Sequence, residues 1–129
     1  MLRDLIQDYF DAFNRQDIEG MLSTLSEDVQ HDINEGGTEV GIEAFRAFKN
    51  HMARCYREEI TDLVIMVEGT RGAAEFTCSG TYLQTDEGLP PANGQTYAIP
   101  AAVFFELKGD KIGRVTSYYN LRGWLNAVT

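Results

Sequence analysis

The chain has 129 residues, with 11 Lys plus Arg against 20 Asp plus Glu, and a formal net charge of −9. This length suits one domain spanning residues 1–129, and a hydrophobic content of 43% excludes a disordered chain. The acidic balance argues against binding to nucleic acid or to an anionic membrane surface, because both need clustered basic side chains. Composition therefore indicates an acidic globular domain and gives no function.

The chain shows no targeting, membrane or metal-binding pattern. Its N-terminal segment is charged from Arg3 onward, and no apolar run reaches the roughly 18 residues of a membrane span. We therefore expect a cytoplasmic protein in which Cys55 and Cys78 are buried, reduced thiols. No Cys-x-x-Cys, His-x-x-x-His or glycine-rich nucleotide loop is present, so the sequence predicts neither a metal nor another cofactor.

Hydrophobic spacing predicts three helices and one strand in the N-terminal half. Apolar residues recur every three or four positions over residues 2–13, which is the period of a helix face. Asp17 is the expected N-cap of a short second helix over residues 18–25. Residues 29–33 alternate like a strand, Asn34 starts a turn, and a third helix is predicted over residues 41–55.

The C-terminal half is predicted to consist of strands. Apolar patterns mark strands at residues 60–68, 74–82, 97–107 and 112–121, a long loop at 86–95 and a last helical turn at 122–128. Pro100 inside a strand predicts a bulge. Helices followed by long strands indicate an α+β fold, a cone-shaped curved antiparallel sheet wrapped around three N-terminal helices.

Two parts of the chain resemble a known group of proteins. Residues 9–22, Tyr-Phe-Asp-Ala-Phe-Asn-Arg-Gln-Asp-Ile-Glu-Gly-Met-Leu, are similar to the opening of the ketosteroid isomerase and SnoaL-like polyketide cyclase families of the nuclear transport factor 2-like superfamily. The loop at residues 88–94 and the tail at residues 104–125 resemble SnoaL-like members. The resemblance implies the cone fold and dimers through the sheet face, but it does not fix the reaction, because this fold carries isomerases, cyclases, epoxide hydrolases and binding modules.

The resemblance does not extend to the full isomerase site. Ketosteroid isomerase uses an Asp base and an oxyanion hole of a Tyr and a protonated Asp. An ungapped alignment places the oxyanion tyrosine on Tyr9, the base on Ile33 and the protonated Asp near Ala102. Asp32 is one residue short and points to the opposite face of a strand. Two of the three groups are missing, so steroid isomerisation by that mechanism is not expected.

A different acid–base pair is predicted inside the cone. The strand parity that turns Ile33 inward also turns His31 inward, and histidine is the natural general acid or base near neutral pH. We interpret His31 and Tyr9 as catalytic, with the alternative that they only bond each other or the backbone. The rest of the predicted pocket lining is Phe13, Ile33, Phe48, Met52, Tyr56, Phe76, Cys78, Ala102, Phe104, Ser117 and Tyr119.

Other polar residues are given simpler roles. His51 lies at the flank of the third helix and is expected at the surface, and the acidic residues around positions 58–59 and 86–87 are expected in solvent. The loop at residues 88–94 is interpreted either as a lid over the pocket or as a long hairpin connection.

Two functions are compatible with these residues. The first is a cofactor-independent isomerase- or cyclase-type enzyme that moves a proton beside a carbonyl group of a small hydrophobic, cyclic or polyketide-like metabolite. His31 would move the proton and Tyr9 would stabilise the oxyanion. The alternative is a non-catalytic ligand-binding or dimerisation module. A homodimer through the sheet is expected in both cases, because residues 97–107 are apolar on both strand faces.

Overall fold

The computed structural model describes residues 1–129 and contains four helices around one six-stranded sheet. The helices are α1 (Leu2–Asn14), α2 (Ile18–Leu22), α3 (Ile42–Cys55) and α4 (Leu121–Val128). The strands are β1 (Leu25–Asp32), β2 (Thr38–Val40), β3 (Tyr56–Glu68), β4 (Arg71–Tyr82), β5 (Thr96–Lys108) and β6 (Lys111–Tyr119). The predicted α+β class is confirmed. No helix combines the length and apolar composition that crossing a membrane requires.

The sheet is curved and open, with the strand order β2-β1-β6-β5-β4-β3. Strands β3 to β6 form the expected antiparallel meander, but β1 joins β6 in parallel, with His31 opposite Val115. The sheet is therefore mixed at this edge rather than wholly antiparallel. The bulge predicted at Pro100 is wrong, because the register continues through its pairing with Thr77. Register shifts lie instead in β3 between Thr61 and Val64, in the β5–β6 pairing between Glu106 and Leu107, and in the β1–β6 pairing between Leu25 and Gln30.

The helices form where their apolar faces meet the sheet. Helix α1 buries the predicted stripe, which includes Ile6 and Phe10, and one core cluster contains 25 buried residues. The Asp17 side chain accepts a hydrogen bond from the Gly20 amide, which confirms it as the N-cap of α2. Helix α2 ends earlier than predicted, because Leu25 already belongs to β1. Strand β2 was not predicted, since its three residues are all exposed and carry no alternation.

Strand β5 shows which face of the sheet lines the core. Tyr97, Ile99, Val103 and Phe105 are buried, whereas Ala98 and Phe104 on the opposite face are exposed. The side chains of Tyr97, Ile99, Val103 and Phe105 therefore point towards the helices, whereas those of Ala98 and Phe104 lie on the outer face of the sheet.

Gly80 lies at a position where neighbouring side chains leave no room for a larger residue. Gly80 on β4 pairs with Tyr97, and a Cβ added at Gly80 would lie 2.5 Å from the Tyr97 hydroxyl and 2.9 Å from the Glu58 Cγ. We expect Gly80→Ala to lower the free energy of unfolding by about 1–3 kcal/mol, as overpacking does in other cores. Urea denaturation measures this change.

Gly37→Ala is the matched control, because a Cβ at Gly37 has nothing within 4 Å. Its effect should stay within about 0.5 kcal/mol, as for other surface substitutions. Equal effects of the two substitutions would contradict the close approach of Tyr97 to β4.

Candidate active site

A cavity of about 350 Å³, partly open to solvent, is lined by helices α1, α3 and α4 and by five of the six strands. Of its 25 lining residues, 18 are hydrophobic. A volume of roughly 300–1,000 Å³ with an apolar lining and a few polar groups is typical of small-molecule sites. The cone therefore contains a space that could hold a ligand.

The structure places twelve of the thirteen predicted site residues in this cavity wall. These are Tyr9, Phe13, His31, Ile33, Phe48, Met52, Tyr56, Phe76, Cys78, Ala102, Ser117 and Tyr119. The prediction for Phe104 is wrong: its side chain is 42% exposed and packs edge-to-face on Tyr118, with ring centres 5.8 Å apart. Both faces of β5 are apolar, so the sequence pattern did not show which one points inward.

His31 is a buried histidine with an unsatisfied ring nitrogen. Strand β1 carries it between β2 and β6, and its ring packs 4.6 Å from Phe45 and 4.8 Å from Phe48 on α3. Only 3% of the residue is exposed, and Nδ1 is buried without a hydrogen-bond partner. Buried polar atoms are normally paired. Local hydrogen bonding to Tyr9 or to the backbone therefore does not account for Nδ1.

The surroundings of His31 keep its imidazole neutral. Burial is the largest cause and the positive charge of Lys49 the second, and together they lower the pKa of His31 to about 4, against a smaller opposing effect of Asp32. A neutral imidazole at pH 7 has a free lone pair and is in the proton-accepting form.

Lys49 is a charged cavity residue that the sequence analysis did not predict. Its ammonium nitrogen lies 5.4–5.8 Å from the ring centres of four aromatic residues, Tyr9, Phe13, Phe45 and Phe48. These distances are within the range of cation–π contacts. Its position four residues after Phe45 and three before Met52 puts Lys49 in the apolar stripe of α3. A single cation inside such a stripe is the signal that could have identified it.

A cluster of hydrogen-bonded polar residues, His51, Tyr56 and Asp86, lies at the rim of the cavity. His51 Nε2 is 2.8 Å from Asp86 Oδ1, and the Tyr56 hydroxyl donates to Asp86 Oδ2 at 2.8 Å. The Asp86 amide donates to the Tyr82 hydroxyl at 3.0 Å. Asp86 was predicted to be in solvent, but its side chain is only 19% exposed. These bonds attach the loop at residues 86–95 to α3 and to β3. Burial and the bond to Asp86 raise the pKa of Tyr56.

The same rim contains the one set of donor atoms that could hold a metal ion. His51 Nε2, Cys55 Sγ and an Asp86 carboxylate oxygen lie within 4.8 Å of one another. Nitrogen, thiolate and carboxylate ligands are those of zinc sites. In this structure His51 and Asp86 already hydrogen-bond each other, and burial raises the pKa of the Cys55 thiol. We therefore assign the cluster to loop attachment, and the absence of a metal stays a prediction.

Glu58 is another acidic residue that was predicted in solvent and lines the cavity instead. Its Oε2 accepts a hydrogen bond of 2.5 Å from the Tyr97 hydroxyl. Burial, and then the negative charge of Glu58, raise the pKa of the Cys78 thiol. Burial and Glu58 also raise the pKa of Tyr97. The cavity wall thus holds a carboxylate whose nearest polar neighbours remain protonated donors.

Asp32 and Asn34 differ in where they point. Asp32 lies outside the cavity and accepts hydrogen bonds of 2.6 Å from Thr116 and 2.8 Å from Thr38, and the Thr116 bond is the largest cause of its lowered pKa. It therefore does not replace the isomerase base. Asn34 starts the predicted turn and also lines the cavity, where its Oδ1 accepts from the Tyr119 amide at 3.1 Å and its Nδ2 is buried without a partner.

The curved sheet, the helices that cover it and the internal cavity define the nuclear transport factor 2-like fold. The profile of the SnoaL-like domain matches residues 6–115, so the chain belongs to the SnoaL-like family. No curated protein matches the chain.

Several solved structures are similar over nearly the whole chain. A candidate polyketide cyclase from Silicibacter sp. TM1040 is 55% identical, with a TM-score of 0.96, and the match covers 98% of this chain and 94% of that one. A candidate polyketide cyclase from Pseudomonas putida KT2440 is 52% identical, with a TM-score of 0.95 and coverage of 97% and 96%. An epoxide hydrolase from M. tuberculosis is 12% identical, covers 97% of this chain and 86% of that one, and with a TM-score of 0.74 shows the shared fold alone.

The lowered pKa of His31 predicts a pH-dependent loss of stability. Its folded pKa of about 4 lies below the ordinary value of 6.5, so the unfolded chain binds a proton that the native chain does not. This difference lowers the free energy of unfolding as the pH falls from about 7 towards 4. His31→Gln lacks the effect. When the pH falls from about 7.5 to 4.5, the free energy of unfolding of the wild type should decrease by about 2–3 kcal/mol more than that of this variant.

Urea denaturation of both proteins at the two pH values measures this difference. Acidic groups that titrate in the same range are common to both proteins and cancel in the comparison. A constant difference in unfolding free energy across the range would show that His31 is solvated.

Proposed function

We propose that the protein is a cofactor-independent enzyme that moves a proton beside a carbonyl group of a hydrophobic, cyclic or polyketide-like metabolite. The observation that carries this proposal is the His31 imidazole, which lies in the wall of a mostly apolar cavity and whose pKa is lowered to about 4 by burial and by the charge of Lys49. It is therefore a neutral base beside the space that a substrate would fill. The description of the relatives as candidate polyketide cyclases supports the substrate class.

The proposed step uses two residues that line the same cavity. The neutral His31 removes a proton from the carbon next to the carbonyl group, and the electrons of that C–H bond form an enolate. The Tyr9 hydroxyl donates a hydrogen bond to the enolate oxygen. Where the enolate is conjugated with a C=C bond, return of the proton to another carbon gives isomerisation. Attack of the enolate carbon on a second carbonyl group forms a C–C bond and an alkoxide, which takes the proton back from His31, and the result is cyclisation. Ile33 and Ala102 have no acid–base group, so we do not propose steroid isomerisation.

Hydrogen exchange tests the proton transfer without knowledge of the natural substrate. We expect the wild type to speed the exchange of the α-hydrogens of 1-tetralone, a flat bicyclic ketone, for deuterium from heavy water, as followed by proton NMR. His31→Gln should lower this rate by about 100- to 10,000-fold, the usual contribution of a positioned base, and Tyr9→Phe should have a smaller effect.

Glu27→Gln is the control, because Glu27 is an exposed residue on the same strand as His31 and should exchange like the wild type. If cyclic ketones bind but no exchange is accelerated, the second function applies. That function is a non-catalytic ligand-binding or dimerisation module, which the missing isomerase carboxyl groups favour.

We also propose that two copies associate through the outer face of the sheet. Met66, Ala73 and Phe104 lie opposite one another across β3, β4 and β5, so they share one face. In the single chain Phe104 is 42% exposed, Met66 52% and Tyr118 56%. An apolar patch of this kind is uncommon on a monomer, and a second copy offers the same patch in a symmetric dimer.

Phe104→Lys should convert the dimer to a monomer, because it places a charge at the centre of the contact. Light scattering should give twice the chain mass of 14.5 kDa for the wild type and a single chain mass for the variant. Leu83→Lys is the control, since Leu83 is 52% exposed but follows β4 outside the sheet. A monomeric wild type at micromolar concentration contradicts this association.

The remaining part of the proposal concerns location and partners. We place the protein in the cytoplasm, with neither nucleic acid nor membranes as partners. The net charge of −9 supports this assignment, as do the free and buried thiols of Cys55 and Cys78.

A further inference from the structure

Lys49 is the only lysine or arginine in the cavity wall. It takes part in none of the eight ion pairs of the chain. Arg46, one turn earlier on the same helix, pairs with both Glu19 and Glu43. Although the chain has 20 acidic residues, none of them pairs with this half-buried cation, so its ammonium group is free to bind an anion.

The ammonium group of Lys49 is surrounded by aromatic side chains that form or border the cavity wall. Lysine side chains usually extend their charged end into water. Here the ammonium group lies 5.4 Å from the ring centre of Phe13 and 5.5 Å from that of Phe45, with Tyr9 and Phe48 at 5.8 Å. Aromatic faces attract a cation but supply no hydrogen-bond acceptor to its N–H groups. An anionic oxygen in the cavity would complete the coordination of the ammonium group.

We propose that Lys49 binds an anionic oxygen of the ligand, so that the cavity selects an aromatic or cyclic hydrophobic molecule that carries one carboxylate or enolate group. The enolate half of this statement rests on the proposed function, whereas binding of a carboxylate does not depend on catalysis. The number of anionic groups is limited to one by Glu58 and Asp86. Both are carboxylates in the same wall, and they would repel a second anion.

The bound anion would also change His31. Lys49 on α3 lowers the pKa of His31, and Asp32 on β1 opposes it, while Tyr9 and Tyr119 line the same cavity. An anion on Lys49 offsets the positive charge that disfavours a protonated imidazole. The pKa of His31 should therefore rise by about one unit when the ligand binds, because an opposite charge nearby favours the charged form. His31 would be a stronger base with substrate bound than in the empty cavity.

A pair of probes that differ in charge but hardly in shape tests the anion site. We expect wild-type protein to bind 2-naphthoate at least about 10-fold more tightly than 2-naphthamide in isothermal calorimetry at neutral pH, which corresponds to one charge-assisted contact. Lys49→Met keeps an apolar stem and should remove this preference. Retained binding of 2-naphthamide shows that the variant is folded with its cavity intact.

Lys108→Met is the matched control, because it changes the net charge equally and Lys108 pairs with Asp28 at the surface, away from the cavity. It should keep the wild-type preference for the naphthoate. The proposal is overturned if Lys49→Met keeps the preference too, if wild-type protein prefers the amide, or if naphthoate fails to bind at millimolar concentration. The wild-type comparison of the two probes gives this decision even if Lys49→Met does not fold.

NMR titration of His31 with and without 2-naphthoate adds a second readout. Its pKa should rise with naphthoate and stay unchanged with the amide, and equal values with both probes contradict the coupling to Lys49. This result is separate from the proposed function. Selective naphthoate binding without hydrogen exchange of ketones would reject catalysis and leave the anion site standing.

Discussion

The cost of keeping polar groups inside an apolar cavity is the constraint on which the site depends. His31 Nδ1 and Asn34 Nδ2 are buried without partners, and the Lys49 ammonium group faces aromatic rings. Each of these groups would be better solvated in water. The fold tolerates them because the 25-residue core cluster, part of which also forms the cavity wall, and the long strand pairings stabilise the cone. Two polar atoms of the cavity-lining residues therefore remain unpaired in the folded chain.

The rim of the cavity has the opposite character, because its polar groups are paired. Asp86 accepts hydrogen bonds from Tyr56 and lies in contact with His51, and the Tyr82 hydroxyl donates to the carbonyl oxygen of Pro90 at 2.7 Å. These bonds hold the loop at residues 86–95 against the cone, where Leu89 joins the cavity wall. The polar groups of the rim hold this loop in place, whereas Lys49 in the cavity wall takes part in no ion pair.

Sequence patterns predicted the parts of the fold that have a single apolar face. The stripes of α1 and α3 and the alternation in β4 are examples, since one face is buried and the other is not. The pattern failed for Phe104, because β5 is apolar on both faces and its direction is set by packing. Most of the residues predicted to line the pocket do line the cavity, because they lie on these buried apolar faces.

Charged site residues were harder to predict, because each looks like a surface residue within its own segment. Lys49 is caged by Tyr9 and Phe13, which come from α1 and meet α3 only in the folded chain. Asp86 and Glu58 are half-buried and bonded to residues distant in the sequence, namely Tyr56 and Tyr97. Contacts between distant segments thus decide the electrostatics of the site, and a single sequence does not reveal them.

The proposed use of a histidine base in place of a carboxylate gives a role to the cation in the same cavity wall. A carboxylate base becomes neutral when it takes a proton, so its charge passes to the enolate. A neutral histidine becomes positive instead, and proton transfer creates two new charges in a cavity lined mainly by apolar side chains. Separating charge there is costly unless the enolate finds a compensating partner.

Tyr9 alone supplies a hydrogen bond without charge, whereas Lys49 supplies a full positive charge in the same wall. In the proposed function, His31 as the base and Lys49 as the fixed cation are therefore two parts of one electrostatic arrangement. In this arrangement the cation is already in place when proton transfer creates the negative charge on the substrate.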